Sequence, residues 1–518
     1  MKIERTKNAT RNIIFGVLLK IYQILIPFVM RTIMIYFMGI QYLGLNSLFT
    51  SILQVLNLAE LGVGSAMVYS MYKPIVDDDK QRLCALMRLY RTYYHVIGLV
   101  IAIAGGILTP FVPHLIKGDI PADMNVYILY LLNLGATVLS YWLFAYKNSL
   151  FQAFQRQDVI SKVTLATSTI QYAFQAGAII ILHNYYTYVI ILLAGQALTN
   201  IVTAIAATKM YPDLKPGDKL DEESVKEINH RIRDLFTSRV GAVVVNSADT
   251  IVISAFLGLT ILAEYQNYYY ILTAIIGMVG VIWTSCTAGI GNSLIVESKE
   301  KNLHDLQKFT FLISWIAGLC CCCFLNLFQP FMKMWVGEKY MFDISVVICL
   351  VIYYYIYEIN QLLNTYKDAG GIWHRDRFRP LVTAFANLGM NLIMVQFWGI
   401  YGIVLSTVLS MAFVGMPWIF YNLFTTLFEK KQFKGYFQRM IIYTVMTAAI
   451  VAISGIICHI IKINGTLPTF IVRAVICLIL PNIFYIVVFR KTTEFKESVQ
   501  LVDEITKHRI PILKKLMA

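Results

Sequence analysis

Residues 12–39, NIIFGVLLKIYQILIPFVMRTIMIYFMG, decide the fold class. A hydrocarbon core about 30 Å thick needs roughly 20 apolar residues per helix, and this run exceeds that length with only Lys20 and Arg31 as charges. It is too long for a cleaved signal peptide and lacks a small-residue cleavage pattern before Gly39, so it is expected to persist as the first membrane helix. Comparable stretches follow at 42–70, 92–112, 126–146, 162–182, 187–208, 237–258, 265–296, 309–331, 343–366, 381–398, 401–428, 440–458 and 469–489. The expectation is an all-α polytopic membrane protein with 14 transmembrane helices, and it leaves no soluble domain of ordinary size.

Charge placement tests this map. Of the 44 Lys and Arg residues, 37 fall at the two ends and in alternate loops, whereas the opposite loops hold only Lys117, Lys333, Lys339 and Lys462. That bias puts both termini in the cytoplasm. The net charge of +14 is then a topological signal and not the basic face of a nucleic-acid-binding domain, so no nucleic acid partner is expected. The nine cysteines lie in spans or near the cytoplasmic face. Neither a disulfide nor a metal centre is expected, because successive residues of Cys320–Cys323 point about 100° apart on a helix and cannot close one tetrahedral site.

The chain also repeats itself. At an offset of 219, Lys20, Ile33, Phe37 and Gly39 match Arg239, Val252, Phe256 and Gly258; at 227, Gly62-Val63-Gly64-Ser65 echoes Gly289-Ile290-Gly291-Asn292. Six spans separate the matched segments, and an even number preserves orientation, so the two halves read as parallel repeats about an axis along the membrane normal. The expected organisation is an N-lobe at 1–209 (helices 1–6), a cytoplasmic linker at 210–236 rich in Pro, Gly and mixed charge, a C-lobe at 237–428 (helices 7–12), helices 13 and 14 at 429–490, and a cytoplasmic tail at 491–518.

Depth selects candidate site residues. With Gly39 at the outer surface and about 1.5 Å per residue, Arg31 sits roughly 12 Å down and Lys20 near the inner boundary. Eleven residues make almost three turns, so Lys20, Pro27 and Arg31 share a stripe. Facing lipid would cost Arg31 about 2.5–3.5 kcal/mol, so the stripe is expected to face the interior. Glu60 is expected at the level of Lys20 and paired with it, and Asp249 at nearly the depth of Arg31. Arg31 and Asp249 then form either an ion pair that locks one conformation, or a cationic site for an anionic substrate with Asp249 as a release or coupling partner. Glu60, Asp249 and Glu358 are the gating or coupling candidates. Tyr354, Gln361 and Asn364, on the tyrosine-rich tenth span, are candidate sugar contacts. No catalytic residue and no cofactor are expected.

Arg31-Thr32-Ile33, Tyr42-Leu43-Gly44-Leu45, Leu48-Phe49, Ala59-Glu60-Leu61-Gly62 and Tyr72-Lys73-Pro74 together resemble the opening of bacterial Wzx-type polysaccharide flippases, in the multidrug/oligosaccharidyl-lipid/polysaccharide exporter superfamily. Asn246-Ser247-Ala248-Asp249-Thr250 with Phe256-Leu257-Gly258 is similar to the start of that family's second lobe. The resemblance implies two six-helix lobes in a V plus two further helices. It also implies a bacterial cytoplasmic-membrane location and alternating-access movement of an undecaprenyl-diphosphate-linked oligosaccharide from inner to outer leaflet. Arg31 is the position it assigns to the diphosphate, with Lys20 beside it. Membrane lipid, a proton or sodium coupling ion and polysaccharide-assembly proteins are the implied partners. A lipid II flippase, a multidrug cation antiporter and a membrane-embedded glycan polymerase or ligase are the alternatives. The last would need an acid-base constellation in an outer loop, and the loops at 113–125 and 332–342 are short and show none.

Overall fold

The computed structural model describes residues 5–505 except 119, 122 and 462, and the described part is helical with no strand. Arg239 and Asn246 lie on a described helix, but their side chains are outside the described residues. The helices are α1 (Arg5–Phe37), α2 (Ile40–Leu56), α3 (Val63–Val76), α4 (Lys80–Leu108), α5 (Val126–Trp142), α6 (Asn148–Ala153), α7 (Gln157–Ile180), α8 (Tyr185–Met210), α9 (Glu222–Leu257) and α10 (Leu259–Val296). They continue with α11 (Lys299–Trp335), α12 (Ile344–Ala369), α13 (Trp373–Asp376), α14 (Arg379–Trp398), α15 (Ile400–Ser410), α16 (Met416–Thr426), α17 (Phe433–Ile460), α18 (Thr466–Phe489) and α19 (Thr493–Ile505).

Every expected span falls on one of these helices or on a short series of them. Eleven segments are long and apolar enough to cross a membrane, and a twelfth is the pair Val126–Trp142 and Ala145–Ala153, bent by 48°. The other two expected spans fall on α7, diluted by Gln171 and Gln175, and on α9, whose apolar part is the short run Val243–Leu257. Fourteen spans are consistent with this arrangement.

The chain divides into two compact units, Met1–Ala263 and Glu264–Ala518. In the first, α1 packs on α7, α7 on α8, α4 on α5, and α2 on α9. Gly44 brings α2 close to the start of α10: a Cβ there would come within 2.2 Å of the Leu259 carbonyl oxygen. The linker helix α9 starts at Asp221, whose carboxylate accepts from the Ser224 N–H at 2.8 Å. That bond holds the carboxyl below its usual range.

In the second unit α11 is the hub, packing on α12, α17 and α18. Phe311, fully buried, sits in a cluster with Tyr443, Tyr485, Phe489 and Phe495, and Trp315 stacks on Tyr485 at 5.7 Å. Aromatic burial of this kind contributes most of the attachment of α17, α18 and the amphipathic α19. Cys321 and Cys322 are buried in the same region, while Cys320 and Cys323 are half-buried, and all nine thiols are free.

The two repeat signals fare differently. Gly39 (φ 110, ψ 159) joins α1 to α2, and Gly258 (φ 93, ψ 173) joins α9 to α10. Both occupy a backbone region essentially closed to residues with a Cβ, so the matched glycines make the same helix-to-helix corner. The second echo is not matched in backbone. Gly62 is left-handed (φ 91, ψ −24) and breaks the second span, whereas Gly289 lies inside the continuous α10.

Candidate functional site

In the first unit the wall beside α1 is polar and aromatic. Arg31 is half-buried on α1 and lies within electrostatic reach of the buried Tyr188 on α8. Two residues after Lys20, Tyr22 meets Tyr172 of α7 at 6.3 Å between ring centroids, and the Thr169 hydroxyl lies 3.0 Å from the Tyr22 hydroxyl. Gln175, fully buried, donates from its side-chain amide to the Tyr188 carbonyl at 3.2 Å. Along the expected stripe, Pro27 and Arg31 are half-buried and Lys20 is exposed. A guanidinium is a planar fork of donors whose geometry matches phosphate or carboxylate oxygens.

Glu60 corrects the sequence reading. Its carboxylate accepts from the Tyr94 hydroxyl at 2.7 Å and from the Tyr141 hydroxyl at 3.1 Å, and Tyr90 lies 2.8 Å from Tyr94. Lys20 is not its partner. The expectation assumed an unbroken second span, but α2 ends at Leu56, a 3₁₀ turn covers Asn57–Glu60, and Gly62 restarts the chain as α3. This turn aims Glu60 at α4 and α5 instead of α1. Asp249, on α9, is 9 % exposed, with Ser247, Thr250 and Ser254 buried around it. Arg31 and Asp249 are each engaged by neighbouring groups.

In the second unit Glu358 is buried at 1 % exposure, and one of its oxygens has no hydrogen-bond partner. Such an atom is costly in an apolar interior, which makes the position a candidate for binding a proton or cation. Of the expected sugar contacts, Tyr354 is fully buried with its ring edge-on to Phe324 at 4.9 Å, so it presents no face to a ligand in this conformation. Asn364, half-buried, accepts from Arg379 at 2.6 Å and donates to the Asn360 carbonyl at 2.9 Å, and Gln361 is half-buried as well.

Two arrangements were missed from sequence. Arg379 (6 % exposed) makes a two-bond pair with Asp376 (2 %) at 2.7 and 2.8 Å, and Asn422 donates to the same carboxylate at 3.0 Å. The network ties α12, α13, α14 and α16 together. Counting Arg379 only as a loop charge hid it; the i, i+3 spacing of Asp376 and Arg379 was the available signal. Between α14 and α15, Asn387 donates to Thr407 at 3.0 Å, and Ser406 bonds Asn391. The i, i+4 spacing of Asn387 and Asn391 inside an apolar span marks that ladder.

The chain resembles a solved lipid II flippase MurJ in its inward closed conformation, at a TM-score of 0.66 and 14 % identity over 91 % of this chain and 99 % of that one. It also resembles an inward-facing multidrug resistance MATE family transporter of the MOP superfamily, at 0.60 and 14 % over 79 % and 94 %. A MOP superfamily transporter from Pyrococcus furiosus matches at 0.51 and 12 % over 82 % and 97 %. These likenesses show the fold. No curated protein matches in sequence. The profile of the family described as polysaccharide biosynthesis protein matches residues 9–288, more than half of the chain, and the protein belongs to that family of membrane proteins with a flippase and transporter fold.

Proposed function

We propose that the protein is a flippase that moves an undecaprenyl-diphosphate-linked oligosaccharide repeat unit from the inner to the outer leaflet of a bacterial cytoplasmic membrane. The observation that carries this reading is Arg31, a half-buried guanidinium in the apolar stretch of α1 that follows Lys20, set beside the polar wall of α7 and α8 in a chain of the polysaccharide biosynthesis family. The diphosphate binds Arg31, and Lys20, exposed on the same stripe, meets it at the inner boundary. Asp249 and Arg31 exchange partners as substrate enters and leaves, while Glu60 and Glu358 are the coupling positions for a proton or sodium ion. An inside-negative potential favours outward passage by about 2.3 kcal/mol per negative charge per 100 mV. The lobes run as 1–209 and 237–428 around the 210–236 linker, with both termini cytoplasmic.

Lipid II is the second reading, favoured by the likeness to the lipid II flippase MurJ. Deleting the gene and identifying which lipid-linked glycan accumulates on the cytoplasmic leaflet separates the two. In that background Arg31→Ala is expected to reduce glycan export at least 10-fold with normal membrane insertion, and full export by the expressed variant refutes the anion site. Arg31→Asp combined with Asp249→Arg restores part of the export if the two exchange partners. No rescue over either single change rejects the exchange.

A further inference from the structure

The first unit holds a cavity that this transport reading leaves unused. It has a volume of about 450 Å³, within the range of small-molecule pockets, and lies where the end of α3 and the start of α4 face the first half of α9. Its floor carries Tyr72-Lys73-Pro74, one of the family motifs of the sequence.

Two tyrosines stand open in it. Tyr69 is 59 % exposed and Tyr72 45 %, with the rings edge-to-face at 6.1 Å. Arg231 of α9 lies 4.4 Å from the Tyr69 ring centroid and is held by Glu227 at 2.8 Å and by the Ser70 hydroxyl at 3.2 Å. The Tyr69 ring is therefore fixed while much of it stays accessible. The charges balance: Lys73, Arg82 and Arg231 face Asp77, Asp79 and Glu227. A phosphate or anionic lipid headgroup finds no net positive charge here to hold it. A neutral, hydroxyl-rich ligand meets donors and acceptors in equal supply, and exposed aromatic faces receive the C–H faces of pyranose rings.

From this we infer that the Tyr69–Tyr72 cavity is a docking site for the sugar rings of the glycan head group, engaged before the diphosphate reaches Arg31. The inference rests on the proposed substrate and on the cytoplasmic placement of the loop between α3 and α4. Because Arg231 and Glu227 belong to the linker helix that carries Asp249 toward its other end, a docked sugar bears on the same helix as the proposed exchange partner of Arg31.

The test uses full-length protein in detergent, fluorescently labelled and applied to an array of neutral di- to tetrasaccharides of hexoses and N-acetylhexosamines, without lipid or phosphate. Wild type is expected to be retained on a subset of these glycans. Tyr69→Ala/Tyr72→Ala should lose retention at least 10-fold, Tyr72→Leu, which keeps apolar area but removes the ring, should lose it several-fold, and Tyr72→Phe should keep it. Arg31→Ala should bind the array as wild type does. No retention of wild type, or equal retention by Tyr72→Leu, overturns the docking site. The two readings fail separately, since Arg31→Ala with full export removes the anion site while leaving array binding as the measure of this cavity.

Discussion

Gly62-Val63-Gly64-Ser65 and Gly289-Ile290-Gly291-Asn292 share a sequence pattern but not a backbone. At Gly62 the chain turns left-handed, ends a 3₁₀ turn and starts a new helix, whereas at Gly289 the helix runs on for seven residues to Val296. A Cβ at position 289 would meet nothing within 4 Å, and one at 291 would come 3.4 Å from the Ala369 carbonyl oxygen, so only Gly291 lies close to α12 and neither glycine reverses the chain. Backbone chirality requires glycine at position 62, and nothing steric requires it at 289. The consequence falls on Glu60, which only a broken span can aim at Tyr94 and Tyr141.

Removing the acceptor tests this difference most strongly. Glu60→Ala leaves two tyrosine hydroxyls buried without an acceptor, and at about 1–3 kcal/mol each the expected loss is about 2–6 kcal/mol, read as a lower unfolding midpoint of the purified protein in detergent. A change below 1 kcal/mol would mean that the broken segment is not held by this carboxylate. The shared corner comes next. Gly258→Ala and Gly39→Ala each force a Cβ into a glycine-only backbone at about 1–3 kcal/mol. The loss should be larger at 258, where the new Cβ lies 2.8 Å from the Lys117 carbonyl oxygen, than at 39, where it meets nothing. Equal losses would remove the steric part of the argument.

The glycines of the opening comparison give the smallest and most diagnostic effects. Gly62→Ala should destabilise by about 1–2 kcal/mol, the cost of a left-handed residue with a Cβ. Gly289→Ala should stabilise by about 0.5–1 kcal/mol, because alanine loses less conformational freedom in a helix interior. Opposite signs in the same unfolding measurement confirm the difference, and two losses of similar size would restore the repeat.

Hydropathy carried the fold class and the helix positions, because a bilayer imposes one length on every span wherever it packs, and the short motifs between Arg31 and Pro74 carried the family. The corner at Gly39 and Gly258 was also readable, since one residue type tolerates that backbone. Partners were another matter. Glu60 turned from Lys20 to two tyrosines through one local helix break, Tyr354 went into a packed core, and Asp376 met Arg379 across a loop that looked merely basic. Each of those outcomes depends on the azimuth at which a helix presents its side chains. One 3₁₀ turn or one left-handed glycine rotates that azimuth without changing composition, so only the packed tertiary structure decides which polar groups meet.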